Sequence, residues 1–216
     1  VYLGFQDDIK ADEFKTALLN ARERGLKMEV EKFVQKHEAH KHDLFLIPNG
    51  TVHASGKNNM VLEISNTPYI FTFKMYDWLR LDLNGQPRPI NIEHAFNNLH
   101  FEYQGNYVQQ HLLSQPRVTA EWKRGRRVEL PTHAEHFYTV ERYEFNGDIQ
   151  ISTNAQCHIC MLVEGEAVDV TVGDKINTFS YAETFIIPAS VKDYHVSYKG
   201  TAKAYLLLAY VKDDCC

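Results

Sequence analysis

The chain has 216 residues, of which 44% are hydrophobic and 24% charged, and its net charge is −5. This length can bury one substantial core or two small ones, and the composition is ordinary for a globular protein. Lys and Arg are scattered without a basic face, and the longest apolar runs are far shorter than a membrane span, so we expect neither a nucleic-acid nor a membrane partner.

The first half of the chain opens with the clearest helix, predicted over Ala11–Arg24. Phe14, Leu18 and Ala21 share one of its faces, and Gly25 supplies a stop signal. Short apolar runs follow, and from them we predict three strands and a second short helix. The strands are predicted at Asp43–Pro48, Met60–Ser65 and Tyr69–Met75, and the helix at Ile92–Leu99.

Residues 104–132 are polar and aperiodic, and we predict that they form a connector. From His136 onward short apolar runs return, separated by turn signals such as Asn146-Gly147. Many short strands at even spacing favour a β-barrel or sandwich. We predict strands at Phe137–Tyr143, Ile149–Ser152, Cys157–Val163, Ala167–Val172, Glu183–Ile187, Tyr194–Tyr198 and Ala202–Val211.

A short internal sequence repeat indicates duplication. The phrase Phe45-Leu46-Ile47-Pro48 returns 140 residues later as Phe185-Ile186-Ile187-Pro188. Where the first copy continues to His53, the second has Asp193, so we predict a second unit without a metal site.

Cys157 and Cys160 form a Cys-x-x-Cys pair, a pattern that can indicate a redox or zinc site. They lie on a predicted strand, where residues three apart point to opposite faces. Core packing is therefore the favoured interpretation, and the cysteine usage fits a reducing cytoplasm.

The most informative segment joins a predicted buried strand to Pro48-Asn49-Gly50, with His53 three residues after the glycine. Such a turn fixes where the next side chains point. A histidine held on a rigid sheet in this way is well placed to bind a metal inside a barrel. The alternative is a histidine that is merely hydrogen-bonded at a barrel mouth.

This segment resembles the second metal motif of the cupin superfamily, Pro-x-Gly-x-x-His. The longer phrases VYLGFQDDIKADEF, IPNGTVHASG, VLEIS and FKMYDWLRLDLNGQPRPINIEHA are similar to the class I mannose-6-phosphate isomerases of the bacterial type. The resemblance covers Val1 to about Ala95. It implies a mainly β protein with two cupin-like jelly-roll barrels or sandwiches and a few short helices, the first barrel being incomplete.

The resemblance also implies a division of the chain. Residues 1–103 would be the C-terminal part of a catalytic cupin with its helices, 104–132 a connector, and 133–216 a second, metal-free cupin-like domain. The family binds zinc through a Gln, a His and a Glu from its first motif and a His from its second, and only the last has a counterpart here, His53. The other ligands are expected upstream of Val1, in an N-terminal part of the same polypeptide, so the fragment alone should be inactive.

Four further residues are candidates for chemistry. Glu63 could transfer a proton or orient His53, or it could simply face outward. The family has an active-site Arg close to the position of Lys74, which implies that Lys74 acts in catalysis and phosphate binding, with Asp77 in catalysis and Arg80 in substrate binding. Lys74 keeps the positive charge but cannot donate two parallel hydrogen bonds as an arginine can. Asn66 replaces an Asp of the family. Alternatively, Lys74 and Arg80 are edge charges with Asp77 as their partner.

The function implied is aldose–ketose isomerisation of a hexose phosphate in the cytoplasm, as in mannose-6-phosphate isomerases. Zinc would bind the sugar oxygens while a base moves a proton between the first two carbons. Two alternatives stay open: a non-catalytic carbohydrate-binding or scaffold cupin, and an isomerase of a different sugar.

Overall fold

The computed structural model describes residues 1–66, 72–213 and 215. The chain divides into two compact units, Val1–Leu113 and Ser114–Cys216. None of the helices in the described part of the chain is long and apolar enough to cross a membrane.

The first unit combines three helices with a small antiparallel sheet in the order β2-β1-β3. Phe14, Leu18 and Ala21 of the long helix are buried, and Gly25 ends that helix with a left-handed φ of 61°, as predicted. The elements are β1 (Tyr2–Phe5), α1 (Ala11–Arg24), a 3-10 turn (Val30–Lys32), β2 (Val34–Lys36), β3 (His53–Ala54), α2 (Ile92–Phe96) and α3 (Asn106–His111).

Two strands predicted in this unit are wrong. Asp43–Pro48 contributes only an isolated bridge from Phe45 to Leu113, and Met60–Ser65 contains no strand. Apolar composition makes a strand only where another backbone edge is available for pairing, and here Met60 is 80% exposed. The predicted strand at 69–75 lies partly outside the described residues, and its described part, 72–75, is not a strand.

The second unit is built from two antiparallel sheets, ordered β10-β9-β12-β7 and β11-β8-β13-β6-β5-β4. Apart from the β9–β10 hairpin, which stays within one sheet, the strands β6 to β13 alternate between the two sheets in the manner of a jelly roll. They are β4 (Arg117–Trp122), β5 (Gly125–Leu130), β6 (Tyr138–Phe145), β7 (Gly147–Ser152), β8 (His158–Glu164), β9 (Ala167–Val172), β10 (Lys175–Ser180), β11 (Thr184–Ile187), β12 (Asp193–Tyr198) and β13 (Ala204–Val211).

Inward-facing side chains of both sheets form one core in this unit, including Ile151, Leu162, Val170, Val196 and Leu206. The predicted fold class, mainly β with jelly-roll architecture and a few short helices, is confirmed. Burial is nearly complete for these residues, and fully burying a side chain of this size contributes about 1.5–3 kcal/mol.

The expected connector at 104–132 is in fact structured, because it contains α3, β4 and β5. Every residue of β4 is exposed, and β4 ends its sheet. Val118, Ala120 and Trp122 alternate with polar residues in its sequence, but the polar segment around them concealed the strand. The edge strand β10, which is almost wholly exposed, shows no such alternation and was also missed. In β5 the buried residues Val128 and Leu130 directly follow two arginines, Arg126 and Arg127, so the apolar pattern of this strand is not evident in the sequence.

The two cysteines of the Cys-x-x-Cys pair have different environments. Cys160 is completely buried in the core, where burial raises the pKa of its thiol to about 12, whereas Cys157 is exposed. Cys160 therefore acts as a small core residue, as predicted.

Candidate functional site

The turn before His53 is fixed by two hydrogen bonds to the Pro48 carbonyl oxygen. The Thr51 amide donates one at 3.3 Å, and the buried Thr51 hydroxyl donates the other at 2.7 Å. Gly50 has a φ of 73°, which favours glycine, and its carbonyl accepts a hydrogen bond from the His100 amide at 3.0 Å. The turn is thus held from both sides.

His53 follows this turn and begins β3, where it pairs with Leu3 of β1. His53 is exposed. Its Nδ1 lies 2.9 Å from the Thr51 carbonyl oxygen, which can only accept a hydrogen bond, so Nδ1 carries the proton. In the neutral ring this leaves the lone pair on Nε2. A backbone carbonyl that fixes the tautomer in this way is a common arrangement for metal-binding histidines.

A second group of functional candidates surrounds the carboxylate of Asp77, whose side chain is 13% exposed. The Asp77 Oδ2 lies 3.1 Å from Nε of Arg88 and 3.7 Å from Nζ of Lys74. The structure therefore brings Lys74 and Asp77 together, with Arg88 as the cation that the sequence analysis did not single out. Its position between Pro87 and Pro89 was the available signal, because two prolines fix the backbone that presents it.

The chain turns sharply after Asp77. Trp78 and Leu79 have φ values of 49° and 59°, and the Arg80 amide donates to the Asp77 carbonyl at 2.9 Å. Two positive φ values are typical of a type I′ turn, in which Asn and Gly are usual and bulky residues are strained. Strain of this kind concentrates at functional sites, which supports interest in this turn.

The other sequence candidates are not assembled with these groups. Arg80 and Glu63 are exposed, and Glu63 lies outside any strand. Within residues 1–66 and 72–213, no hydrogen bond or ion pair joins the side chain of His53 or Glu63 to the Asp77 group. The described residues also contain no group of three or more His, Cys, Asp or Glu side chains that could hold a metal ion.

The packing of Gly50 leads to a stability prediction. A methyl group there would overlap the His100 ring and lie 2.5 Å from the Asn98 carbonyl oxygen, whereas at Gly85, with a similar φ of 76°, it would meet nothing. We expect Gly85→Ala to cost about 1–2 kcal/mol from the backbone conformation alone. Gly50→Ala should cost about 2 kcal/mol more, from overpacking. Urea denaturation of both variants measures this; equal losses would contradict the tight packing of the turn.

The class that the structure shows is a mainly β protein whose second unit is a jelly roll and whose first unit carries a histidine directly after a tight turn. No protein-family model matches the chain. The crystal structure of the mannose 6-phosphate isomerase from Bacillus subtilis superposes with a TM-score of 0.67 over 97% of this chain and 60% of that one, at 19% identity, which shows the shared fold.

Two curated relatives narrow this class. The chain is 28% identical over 159 residues to "Putative mannose-6-phosphate isomerase YvyI" of Bacillus subtilis, covering 74% of this chain and 46% of the relative. It is 26% identical over 152 residues to the mannose-6-phosphate isomerase of Streptococcus mutans, covering 70% and 44%. The chain spans about half the length of the curated relatives it matches. Its resemblance to cupin-type mannose-6-phosphate isomerases is confirmed.

Proposed function

We propose that this chain is the C-terminal part of a longer zinc-dependent isomerase that interconverts an aldose and a ketose hexose phosphate. The observation that carries the proposal is the hydrogen bond from His53 Nδ1 to the Thr51 carbonyl, which leaves Nε2 available to a metal. The names of the curated relatives support mannose 6-phosphate as the substrate. Cys157 and Cys160 form no disulfide with any described residue, which is compatible with the cytoplasm.

His53 would supply one zinc ligand, and an N-terminal part of the same polypeptide would supply the others, because catalytic zinc takes about three protein ligands. The bound zinc would act as a Lewis acid on the sugar oxygens. Lys74 would hold the phosphate, with Arg80 at the rim of the site. The Asp77 carboxylate already contacts two cations, Lys74 and Arg88, which supports a positioning role, so Glu63 is the carboxylate proposed to move the proton.

A second candidate function is non-catalytic carbohydrate binding or scaffolding. It is favoured by the ion pair that Lys74 already makes with Asp77 and by the exposed position of Glu63 outside any strand. Both features leave the proposed proton-transfer and phosphate-binding groups without a shared site.

The test uses the longer polypeptide. We expect about one zinc per chain by elemental analysis, conversion of mannose 6-phosphate to its ketose isomer, and loss of turnover on chelation that added zinc restores. Zinc binding without isomerisation of any hexose phosphate would favour the carbohydrate-binding alternative. Turnover of another aldose phosphate alone would mean that the substrate is a different sugar phosphate. Absence of zinc binding would refute the metal site.

A further inference from the structure

The interior of the second unit changes from apolar to polar along its strands. In β6 the core residue Phe145 shares one face with Tyr143 and Glu141, because alternate residues of a strand lie on the same face. In β13 the core residue Leu208 is likewise followed by Tyr210. One end of the jelly roll is therefore a sealed core, and the other presents hydroxyl and carboxyl groups.

The polar end opens into a cavity of about 420 Å³. It is lined by β4 to β8 and β13, and its wall includes Trp122, Gln150, Asn154 and His158. A volume of this order is suited to a small ligand. All of the lining residues belong to the second unit, and none of them is among the candidate residues of the first unit.

The carboxylate of Glu141, whose side chain is 13% exposed, forms part of the cavity wall. Arg127 Nε lies 3.9 Å from its Oε1, and the hydroxyl-bearing residues Tyr143 and Tyr210 line the same cavity. Burial raises the pKa of Glu141 despite the attraction of Arg127. A partly desolvated carboxylate in a cavity gains from a ligand hydroxyl that donates to it.

Gln156 contributes its amide to the same wall. Its Nε2 donates to the Asp213 carboxylate, which fixes the direction of the amide. Its Oε1 has almost no accessible surface, so a ligand in the cavity would not contact this oxygen without a movement of the side chain.

We propose that this cavity binds a neutral, polyhydroxylated molecule of monosaccharide size. The wall combines scattered hydrogen-bonding groups with the aromatic rings of Trp122 and Tyr143, whose centroids are 6.5 Å apart, and such rings pack against the C–H faces of sugars. Arg127 lies 3.9 Å from the Glu141 carboxylate, the lining also includes Asp213, and burial lowers the pKa of His158, so the cavity has no excess of positive charge for a phosphate. A flat apolar ligand would leave the polar wall unpaired.

This proposal is independent of the isomerase function and is tested on the 216-residue chain without zinc. Trp78→Phe leaves Trp122 as the only tryptophan, so its fluorescence reports on the cavity. We expect a saturable change with D-mannose or D-mannitol and none with inorganic phosphate. Glu141→Gln in the same background should weaken binding about tenfold, because hydrogen bonds to charged groups are strong.

Glu121→Gln is the matched control, since this exposed β4 residue lies between the cavity residues Ala120 and Trp122 and faces away from them. It should bind the sugars as the parent does. Thermal unfolding of each variant establishes that it is folded, and ligand-observed NMR provides a readout independent of tryptophan. The proposal is overturned if neither sugar binds by either method, if phosphate alone binds, or if Glu121→Gln weakens binding as much as Glu141→Gln.

Discussion

Replacing Glu144 by glutamine should lower the free energy of unfolding of the second unit by about 3–5 kcal/mol, the usual cost of breaking a buried ion pair. Glu144 is 1% exposed, and the side chain of Arg142 is 10% exposed. The Glu144 Oε1 accepts bonds from Arg142 at 2.7 and 2.9 Å, and its Oε2 accepts one from Arg126 at 2.7 Å. The substitution would leave the Arg142 charge buried without its counter-charge.

Urea denaturation followed by Trp122 fluorescence in the Trp78→Phe background measures this loss. Glu121→Gln removes an exposed glutamate opposite Arg126 and should change stability by no more than about 0.5 kcal/mol. A loss below about 1 kcal/mol for Glu144→Gln would mean that the pair is solvated, as surface pairs are.

The ion pair of Glu144 with its arginine partners also makes the stability difference between parent and variant depend on pH. Burial raises the pKa of Glu144, but the hydrogen bonds and charges of Arg126 and Arg142 outweigh it and the net pKa lies below the ordinary value of 4.5. The stabilisation is therefore fully present above that ordinary value and is lost as the pH falls through the lower folded-state pKa. The difference between parent and Glu144→Gln should shrink accordingly in acid.

Replacing His53 by alanine in the longer polypeptide should lower zinc affinity by at least about 100-fold, because even residues that only support a metal ligand cost 10–100-fold when mutated. Turnover of mannose 6-phosphate should fall with zinc occupancy. The fold should survive, since His53 is exposed and its only side-chain hydrogen bond in the described structure goes to the Thr51 carbonyl. Equilibrium dialysis against zinc buffers measures the affinity directly.

His40→Ala is the control for this experiment. His40 is another histidine of the first unit, with a side chain 71% exposed and only Glu38 and Asp43 as ionic neighbours. It should leave zinc affinity and turnover unchanged. If both variants retain zinc, or both lose it equally, His53 has no special role and the proposed metal site fails.

The sequence predicted elements that carry their own periodicity. Helix α1 was predicted at its observed bounds because three buried residues repeat at helical spacing and a glycine ends it. Most jelly-roll strands were predicted because one face of each is buried. The edge strand β10 was not, since exposed strands need no apolar alternation. In β4 the alternation of Val118, Ala120 and Trp122 is present but lies in a segment whose overall composition is polar. The apolar run at 60–65 was overpredicted because pairing depends on a distant partner edge.

The candidate site was predictable to a similar degree. The turn before His53 followed from local residues, because a Pro-Asn-Gly sequence dictates backbone geometry over a few positions. The predicted place of His53 inside a barrel did not follow, since in the described part of the chain His53 is exposed on a three-stranded sheet. The approach of Arg88 to Asp77 and the polar cavity of the second unit depend on tertiary contacts between residues far apart in sequence. No local pattern encodes such distances, so only the folded chain reveals them.

The fully exposed edge strand β4 has a consequence for handling the protein at high concentration. An edge strand offers a free row of amide and carbonyl groups on which another molecule could add a strand and start aggregation. Here the edge carries Arg117 and Glu121, with Lys123 directly after it. Charged side chains at such an edge are strongly hydrated, and the loss of that hydration opposes the addition of a strand from another copy.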